Sequence, residues 1–458
     1  MFRSWARLLC RFTVPALLAS LIAANGGCER NPAAGAPQTP PKPRNLTILT
    51  PHSERIRETF EEGFWNWYLR EQGTPVEITW VYRGTPQCVE YARETSGAQD
   101  EGHRLPPADV LFGGGLNDHA RLADEGLARP VDVGAAVAVP TNGAPARDAD
   151  GHWHACGLSS FGILYNADAC AARGIAPPTT WADLADPRFF GWVAIADPEA
   201  SGSARECMVL ILQHVGWVDG WSTLIRILAN ARALDPRSGD ALRQVQAGTA
   251  LATFAVNFDG MALAAESDGR LVYVDPPSAT AAKPDFISVL STAPNSDVAL
   301  AFVQYVLSEE GQALWGVQRD ARPPYGQTLY HYPISPAIYD KYAGHLTVPR
   351  NPVKDDFGIR ADTQQSITFG HLVKPLVHAA CGKDLHANLQ QTWHAVFDAG
   401  LPANALAELT TSPVAPDTLE AAAQTVTNTG SPEAQTLVST WAEQFARQYA
   451  HARELLRP

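Results

Sequence analysis

The chain has 458 residues, 45% of them hydrophobic and 18% charged, which is the composition of a globular protein with room for two or three domains. The formal net charge is −13, and it is −16 without the first 27 residues, which carry three arginines and no acid. A surface of this sign repels phosphate backbones, so nucleic-acid binding is excluded.

The N-terminus has the layout of an export signal. Three arginines precede an apolar run at residues 12–24 that is too short to span a membrane, and small residues follow. The next stretch resembles a bacterial lipobox, with Asn25 in place of the usual leucine, and predicts cleavage after residue 27 and lipidation of Cys28. The alternative is a plain signal peptide that leaves Cys28 as a free thiol. Residues 28–44 are rich in proline and predict an extended tether.

Five further cysteines follow at positions 88, 156, 170, 207 and 381. Their odd number forbids complete internal pairing, and their spacing is unlike that of a zinc site. A disulfide between Cys156 and Cys170 and five buried thiols are both open alternatives.

The first part of the mature chain predicts three successive strand, loop and helix units. The strands are residues 45–50, 76–82 and 109–112, and glycine-rich or polar loops follow each of them. Such units form a parallel, doubly wound sheet, in which ligands bind at the carboxyl ends of the strands. The three loops should therefore share one edge, although their glycines are equally consistent with tight turns alone.

Residues 197–205, with the sequence DPEASGSAR, lie between a predicted strand at 192–196 and a predicted helix at 204–215. A strand that ends in a Ser/Gly turn opening a helix leaves free backbone N–H groups, which bind anions. The alternative is that Ser201 or Ser203 only caps the helix, a stabilisation of about 1 kcal/mol.

The later part of the chain also contains predicted helices and strands. A helical region to about residue 234 precedes strands at 250–256, 271–274 and 286–290, and Asp275 begins a predicted crossover. The segment 322–352 is predicted to be an irregular surface crossing. The rest is predicted to be helical, and no transmembrane helix or internal repeat is expected.

These motifs, in this order, resemble the extracellular solute-binding proteins of bacterial ABC importers, in the branch of ferric-iron, phosphonate and thiamine binders. The resemblance covers roughly residues 45–400. Its motifs are the segments TPH at 50–52, FGGG at 112–115, GILYN at 162–166, TWADL at 180–184, DP with SGS at 197–203, and APN at 293–295 with the following helix.

The resemblance implies an α/β protein with a two-lobed type II periplasmic binding fold, a hinge and a helical C-terminal extension. Lobe one would comprise 45–158 with 275–321, lobe two 159–274 with 322–400, and the extension 401–458. Residues 1–27 would be the signal peptide.

The resemblance also implies a cleft lined by the family's binding loops. At the matching positions these are His52, Ser53, Gly84, Thr85, Gly114, Ser159, Ser160, Ser201, Ser203, Asn257 and Asp259. The implied partners are a small-molecule solute and an inner-membrane ABC permease, with no nucleic acid, no cofactor, and membrane contact only through the lipid anchor. A periplasmic monomer without enzymatic activity is expected.

The ligand remains open at this stage. Ferric-iron binders use a tyrosine pair where this chain has Phe258 and Asp259, which lack the phenolate oxygens that a ferric ion prefers. Serine hydroxyls and helix-start amides suit a small anion, whereas Asp259 would repel one or hold an ammonium group or a metal. Arg83 or Arg205 could supply a positive charge, but a solvated face or a salt bridge between the lobes is the favoured interpretation of each.

Two other functions stay open. A secreted hydrolase would use Ser159 with His154 or His52, although no Gly-x-Ser-x-Gly elbow is present. A binding fold kept as a membrane sensor or scaffold is the third alternative. His52 is also a possible metal ligand.

Overall fold

The computed structural model describes residues 41–96, 105–134, 145–348, 350–352, 354–360, 363–382, 385–428 and 430–457. The predicted signal peptide, the lipidation of Cys28 and most of the tether lie outside these residues. None of the helices in the described part of the chain is long and apolar enough to cross a membrane.

Eleven strands and sixteen α-helices make up the described chain. The strands are β1 (Arg44–Thr50), β2 (Val76–Tyr82), β3 (Val110–Phe112), β4 (Ala128–Arg129), β5 (His154–Ser159), β6 (Phe161–Asn166), β7 (Val193–Ala196), β8 (Ala231–Asp235), β9 (Ala252–Val256), β10 (Leu271–Val274) and β11 (Lys283–Leu290). The helices of the first two thirds are α1 (Glu54–Gln72), α2 (Thr85–Ser96), α3 (Leu116–Asp124), α4 (Ala167–Ala172), α5 (Gly202–Val215), α6 (Trp217–Asn230), α7 (Ser238–Gln246), α8 (Asn257–Ala265), α9 (Ser296–Leu307) and α10 (Glu309–Gly316). The remaining helices are α11 (Pro336–Lys341), α12 (Thr363–Cys381), α13 (Leu385–Asp398), α14 (Ala403–Thr410), α15 (Leu419–Thr427) and α16 (Pro432–Glu454).

The first sheet, which defines lobe one, has six strands in the order β2, β1, β3, β11, β4, with β5 paired to β11. Strand β1 runs parallel to β2 and β3, as the strand, loop and helix pattern predicts. Strand β11 runs antiparallel to β3, with Ile287 opposite Phe112. The carboxyl ends of the three parallel strands therefore meet at one edge.

The second sheet, which defines lobe two, has five strands in the order β10, β6, β9, β7, β8. Its strand β8 lies where the sequence predicts helix, because α6 ends at Asn230 and the chain then pairs with β7 in parallel. The prediction of helix up to residue 234 is wrong there. Alanine and leucine favour a helix, but the hydrogen bonds that β7 offers to this segment outweigh that local preference.

The two sheets have separate cores. The core of lobe one is aromatic, with Phe60, Phe112 and Trp315 fully buried. The core of lobe two includes Trp221 of α6 together with residues from the end of the chain, such as Trp393 and Phe445. The helices after residue 400 thus belong to the hydrophobic core of the second lobe.

The segment from Arg322 to Val348 contacts lobe one: Tyr332 exchanges backbone hydrogen bonds with Leu158, and Gln312 accepts one from the N–H of Ile334. The lobe boundaries stay a prediction. The five cysteines after Cys28 are all free and buried, so Cys156 and Cys170 are not paired.

Candidate functional site

A cavity of about 580 Å³ lies between the two sheets and is lined by both of them. Its walls include nine of the eleven residues that the resemblance implies: His52, Ser53, Gly84, Thr85, Gly114, Ser159, Ser201, Ser203 and Asp259. Their contact with a solute stays a prediction.

The other two residues, Ser160 and Asn257, brace the chain where it passes between the sheets. The Asn257 side chain accepts a hydrogen bond from the Ser160 N–H at 3.0 Å and donates one to the carbonyl of Tyr330 at 2.7 Å. The Ser160 hydroxyl donates to Asp275, which follows β10 (2.9 Å). Neither residue is part of the cavity wall. Both form hydrogen bonds between the segments that connect the two sheets.

Several helices begin at the cavity wall, among them α1, α2, α3, α5 and α7. The first turn of a helix has backbone N–H groups without intrahelical partners, and these carry partial positive charge. Their convergence gives the cavity a set of neutral hydrogen-bond donors that favours anions.

A cluster of three serines joins the starts of α5 and α7. The Ser201 side chain accepts from the N–H of Ala204 at 3.1 Å, so it caps α5. The Ser238 hydroxyl lies 2.5 Å from that of Ser201 and 3.0 Å from that of Ser203. Ser201 therefore caps helix α5 and also belongs to the serine cluster at the cavity wall. Ser238 was missed because it follows β8, the strand that the sequence predicted as helix.

The loops of the two lobes approach each other closely across the cavity. A Cβ atom added to Gly84 would lie 2.3 Å from the carbonyl oxygen of Ala200, and one added to Gly202 would lie 3.0 Å from the Thr85 hydroxyl oxygen. Only glycine permits such an approach. The lobes are therefore closed over the cavity in this structure.

Ion pairs also connect the lobes. The guanidinium of Arg205 lies 3.1 Å from the carboxylate of Asp118, and both side chains are largely buried. Lys283 of β11 lies 2.7 Å from Glu206 of α5. Arg205 thus forms a salt bridge between the lobes, one of the interpretations that the sequence favours for it over a contact with the ligand.

Arg57 is a cation of the cavity wall that forms no ion pair with the described residues. Its guanidinium lies over the ring of Tyr82, 5.1 Å from the centroid, and its Nε is buried without a hydrogen-bond partner among those residues. Arg83, the other candidate cation, does not line the cavity and donates to the carbonyl of Tyr82. Arg57 is therefore the guanidinium available to an anion.

His52 is a buried histidine of the cavity wall, and neither ring nitrogen finds a hydrogen-bond partner in the described part of the chain. Its ring packs against Phe112, with centroids 4.6 Å apart, and against Trp315 at 5.8 Å. Burial lowers the pKa of His52 to about 3, so the imidazole is neutral at physiological pH. A neutral imidazole has one donor and one acceptor to offer to a solute.

Ser159 is held by a buried acid and a buried histidine. Its hydroxyl donates to Asp285, and Nε2 of His331 lies 2.9 Å from the same carboxylate. Burial alone would favour the protonated acid, but the hydrogen bond from His331 and its charge hold the pKa of Asp285 below its usual value. The Ser159 hydroxyl also lies 3.2 Å from Nε2 of His331, and its proton points at a carboxylate whose lowered pKa makes it a weak base. The predicted hydrolase pairings of Ser159 with His154 or His52 are not formed.

Asp259 carries a raised pKa. Burial raises the pKa of Asp259 to about 6, against the opposing effects of the nearby Arg55 and of the hydrogen bond from Ser53. Arg55 itself pairs with Glu266. Asp259 is thus close to its protonation point at mildly acidic pH, and a bound anion would raise its pKa further.

Among the described residues, no three metal-type side chains of the cavity wall lie close enough together to hold one ion. Phe258 stacks on His331 with ring centroids 5.0 Å apart, at the position where ferric-iron binders have a tyrosine. The one group of three metal-type side chains within the described ranges is Asp148, Asp150 and His152, and none of these lines the cavity.

Comparison with known proteins shows which proteins the chain is similar to. Residues 106–331 match the model of the bacterial extracellular solute-binding proteins. The phosphoglycerate transport regulatory protein PgtC of Salmonella typhimurium is 29% identical over 187 residues, which is 41% of this chain and 44% of PgtC. The match thus spans less than half of this relative.

Two solved structures share the fold. The periplasmic binding protein AfuA from Actinobacillus pleuropneumoniae has a TM-score of 0.53 and 20% identity, covering 79% of this chain and 100% of AfuA. The substrate binding protein of an ABC transporter from Agrobacterium tumefaciens has a TM-score of 0.53 and 17% identity, covering 71% and 92% of the two chains. The chain thus has the two-lobed type II periplasmic binding fold, and the part of it from residue 106 to residue 331 is similar to the bacterial extracellular solute-binding proteins.

Proposed function

We propose that this protein is the extracytoplasmic substrate-binding component of an ABC importer and that it captures a small anionic solute by closure of its two lobes. The observation that carries the proposal is the serine cluster of Ser201, Ser203 and Ser238 at two helix starts, facing a cavity that also holds the unpaired guanidinium of Arg57. Neutral donors and one free cation bind an anion without a large desolvation cost.

The solute is proposed to be a phosphorylated or carboxylated organic acid. The cavity, at about 580 Å³, is large enough for a small metabolite rather than for a bare ion. The name of the Salmonella relative refers to phosphoglycerate, a member of this chemical class. Asp259 fits such a solute when protonated, because a carboxylic acid donates a hydrogen bond to an anion.

Ligand contacts from both lobes would stabilise the closed form relative to the open one, and the closed form would dock on an inner-membrane permease. The protein is proposed to act as a monomer at the periplasmic face, held to the membrane by a lipid on Cys28. The Ser159 hydroxyl donates to the Asp285 carboxylate, whose lowered pKa makes it a weak base, which favours binding without catalysis.

The direct test is calorimetric titration of inorganic phosphate and of 3-phosphoglycerate into wild-type protein and the Ser201→Ala/Ser203→Ala double variant. Loss of two hydrogen bonds to a charged group predicts about 100-fold or more weaker binding. The matched control is Ser431→Ala, because Ser431 caps α16 in the same way, accepting from the N–H of Ala434 at 3.1 Å. This control should lose about 1 kcal/mol of stability and no affinity.

Wild-type affinity in the double variant would refute the serine site. Failure of both probes to bind wild-type protein would refute the solute class, and titration with ferric ion would then test the metal alternative. Turnover of a phosphoester that disappears in Ser159→Ala would favour the hydrolase. Native mass spectrometry of the purified protein would give the mass of any solute that copurifies.

A further inference from the structure

The start of helix α12, far along the chain from every loop discussed above, forms part of the cavity wall. Ser366 and Ile367 line the cavity with the loops of both lobes. They lie beyond residues 106–331, the segment that matches the family model. The C-terminal part of the chain therefore takes part in the site.

Helix α12 is fixed to lobe two on one side. Phe369, Leu372 and Leu376 are buried in the core of that lobe. Lys374 of α12 lies 3.0 Å from Glu199, in the loop that carries Ser201 and Ser203. The Gln213 side chain of α5 donates a hydrogen bond to the Ser366 hydroxyl oxygen at 3.0 Å. The start of α12 thus keeps its position relative to Ser201 and Ser203.

The other side of α12 reaches lobe one. A Cβ atom added to Gly370 would lie 3.3 Å from the side-chain nitrogen of Asn117, which belongs to α3 and lines the cavity. The helix therefore spans the gap between the lobes at the cavity edge when they are closed.

The two lining side chains differ in chemistry. Ser366 accepts from Gln213, and no described residue accepts its own hydroxyl hydrogen, which leaves a donor for a solute. Ile367 is half-buried and offers an apolar surface. In this part of the wall, Ser366 can donate a hydrogen bond to a solute, whereas Ile367 only limits the space that the solute can occupy.

We infer that the N-terminal turn of α12 is a size-limiting wall of the binding cavity, with Ile367 as a specificity-determining residue that sets the longest solute the closed form accepts. The inference rests on the proposed function for the class of solute. It assigns to the C-terminal helices a role in selectivity besides their role in the core of lobe two.

The test is Ile367→Trp against the matched control Gln364→Trp, since Gln364 is exposed on the same helical turn and does not line the cavity. Filling the cavity at residue 367 predicts about five- to hundredfold weaker binding of 3-phosphoglycerate, the range that overpacking causes. Binding of inorganic phosphate should be unchanged, and Gln364→Trp should affect neither probe. Equal affinities of Ile367→Trp and wild type for 3-phosphoglycerate would overturn the inference.

A second measurement works without any ligand. Ser203→Cys, in chains that also carry C10S and C28S, places one accessible thiol in the cavity, because the other five cysteines are buried. Ile367→Trp should slow labelling of that thiol by a bulky maleimide several-fold relative to Gln364→Trp, and equal rates would overturn the inference. If wild-type protein binds neither phosphate probe, the proposed solute class fails, and the labelling rates still decide the role of α12.

Discussion

Gly84→Ala should weaken solute binding while leaving the open protein stable. Gly84 lies in the loop after β2, and its closest neighbour is in the opposite lobe. An added Cβ would meet the carbonyl oxygen of Ala200 at 2.3 Å and the side-chain oxygen of Gln87 at 2.5 Å. The Gln87 side chain can rotate away, but the backbone of Ala200 cannot. The clash therefore falls on the closed form alone.

The size of the effect follows from that distance. Real Cβ contacts are essentially never shorter than 3.0 Å, so the two loops must separate by about 0.7 Å. Overpacking of this kind costs about 1–3 kcal/mol, and since only the closed form bears the cost, affinity should fall by about 5- to 150-fold.

The assay is calorimetric titration of 3-phosphoglycerate, with small-angle scattering to compare compaction on ligand addition. The matched control is Gly115→Ala, in the neighbouring loop, where an added Cβ meets nothing closer than Asp118 at 3.8 Å. The control should bind within about twofold of wild type. The reasoning is refuted if Gly84→Ala binds with wild-type affinity, or if its ligand-free melting temperature falls far below that of Gly115→Ala.

Two further predictions concern stability. The folded-state pKa of His52, about 3, lies below the value of about 6.5 for an exposed histidine, so its contribution to stability is fully present above pH 6.5 and is lost as the pH falls towards 3. In urea unfolding, the free energy of unfolding of wild type should fall between pH 7 and pH 5 by up to about 2 kcal/mol more than that of His52→Leu. An equal fall in both proteins would contradict burial of a neutral imidazole. Phe445→Ala should lower the free energy of unfolding by about 3–5 kcal/mol, because Phe445 is fully buried beside Trp221. Phe397→Ala, at a side chain that is 43% exposed, should change it by about 0.5 kcal/mol or less, and similar losses in both variants would place the C-terminal helices outside the core.

Much of the fold could be predicted because its signals are local. The alternation of apolar strands with helices indicated the parallel part of lobe one, and the Ser/Gly turn before α5 indicated a helix start at the cavity. Strand β8 was missed because pairing with β7 is a contact between distant segments, which outweighs the helical preference of its own residues. That error also hid Ser238.

The site was harder to predict where a side chain's direction depends on tertiary packing. Arg57 is a charged residue outside the apolar positions of α1, which is typical of a solvent-facing side chain, whereas in the structure this position lines the cavity between the lobes. Ser160 and Asn257 lie where the chain passes between the two sheets. Only the register of the paired strands determines that their polar groups bond to each other and do not line the cavity. Nothing near Ser366 in sequence indicates that α12 packs beside α5 and the loop of Ser201 and Ser203, because the contact is a tertiary one between distant segments.

The position of β11 in the first sheet also constrains how the protein is made. Lobe one is not complete until residues 283–290 pair with β3, β4 and β5, and all of lobe two's strands lie before that segment in the chain. The core of lobe two in turn needs Phe445 and Tyr449, close to the end of the chain. Since contacts between distant segments form late, we expect neither lobe to reach its native core before synthesis is nearly finished. A chain with this connectivity is expected to stay unfolded for most of its synthesis, which would suit the export that the N-terminal sequence predicts.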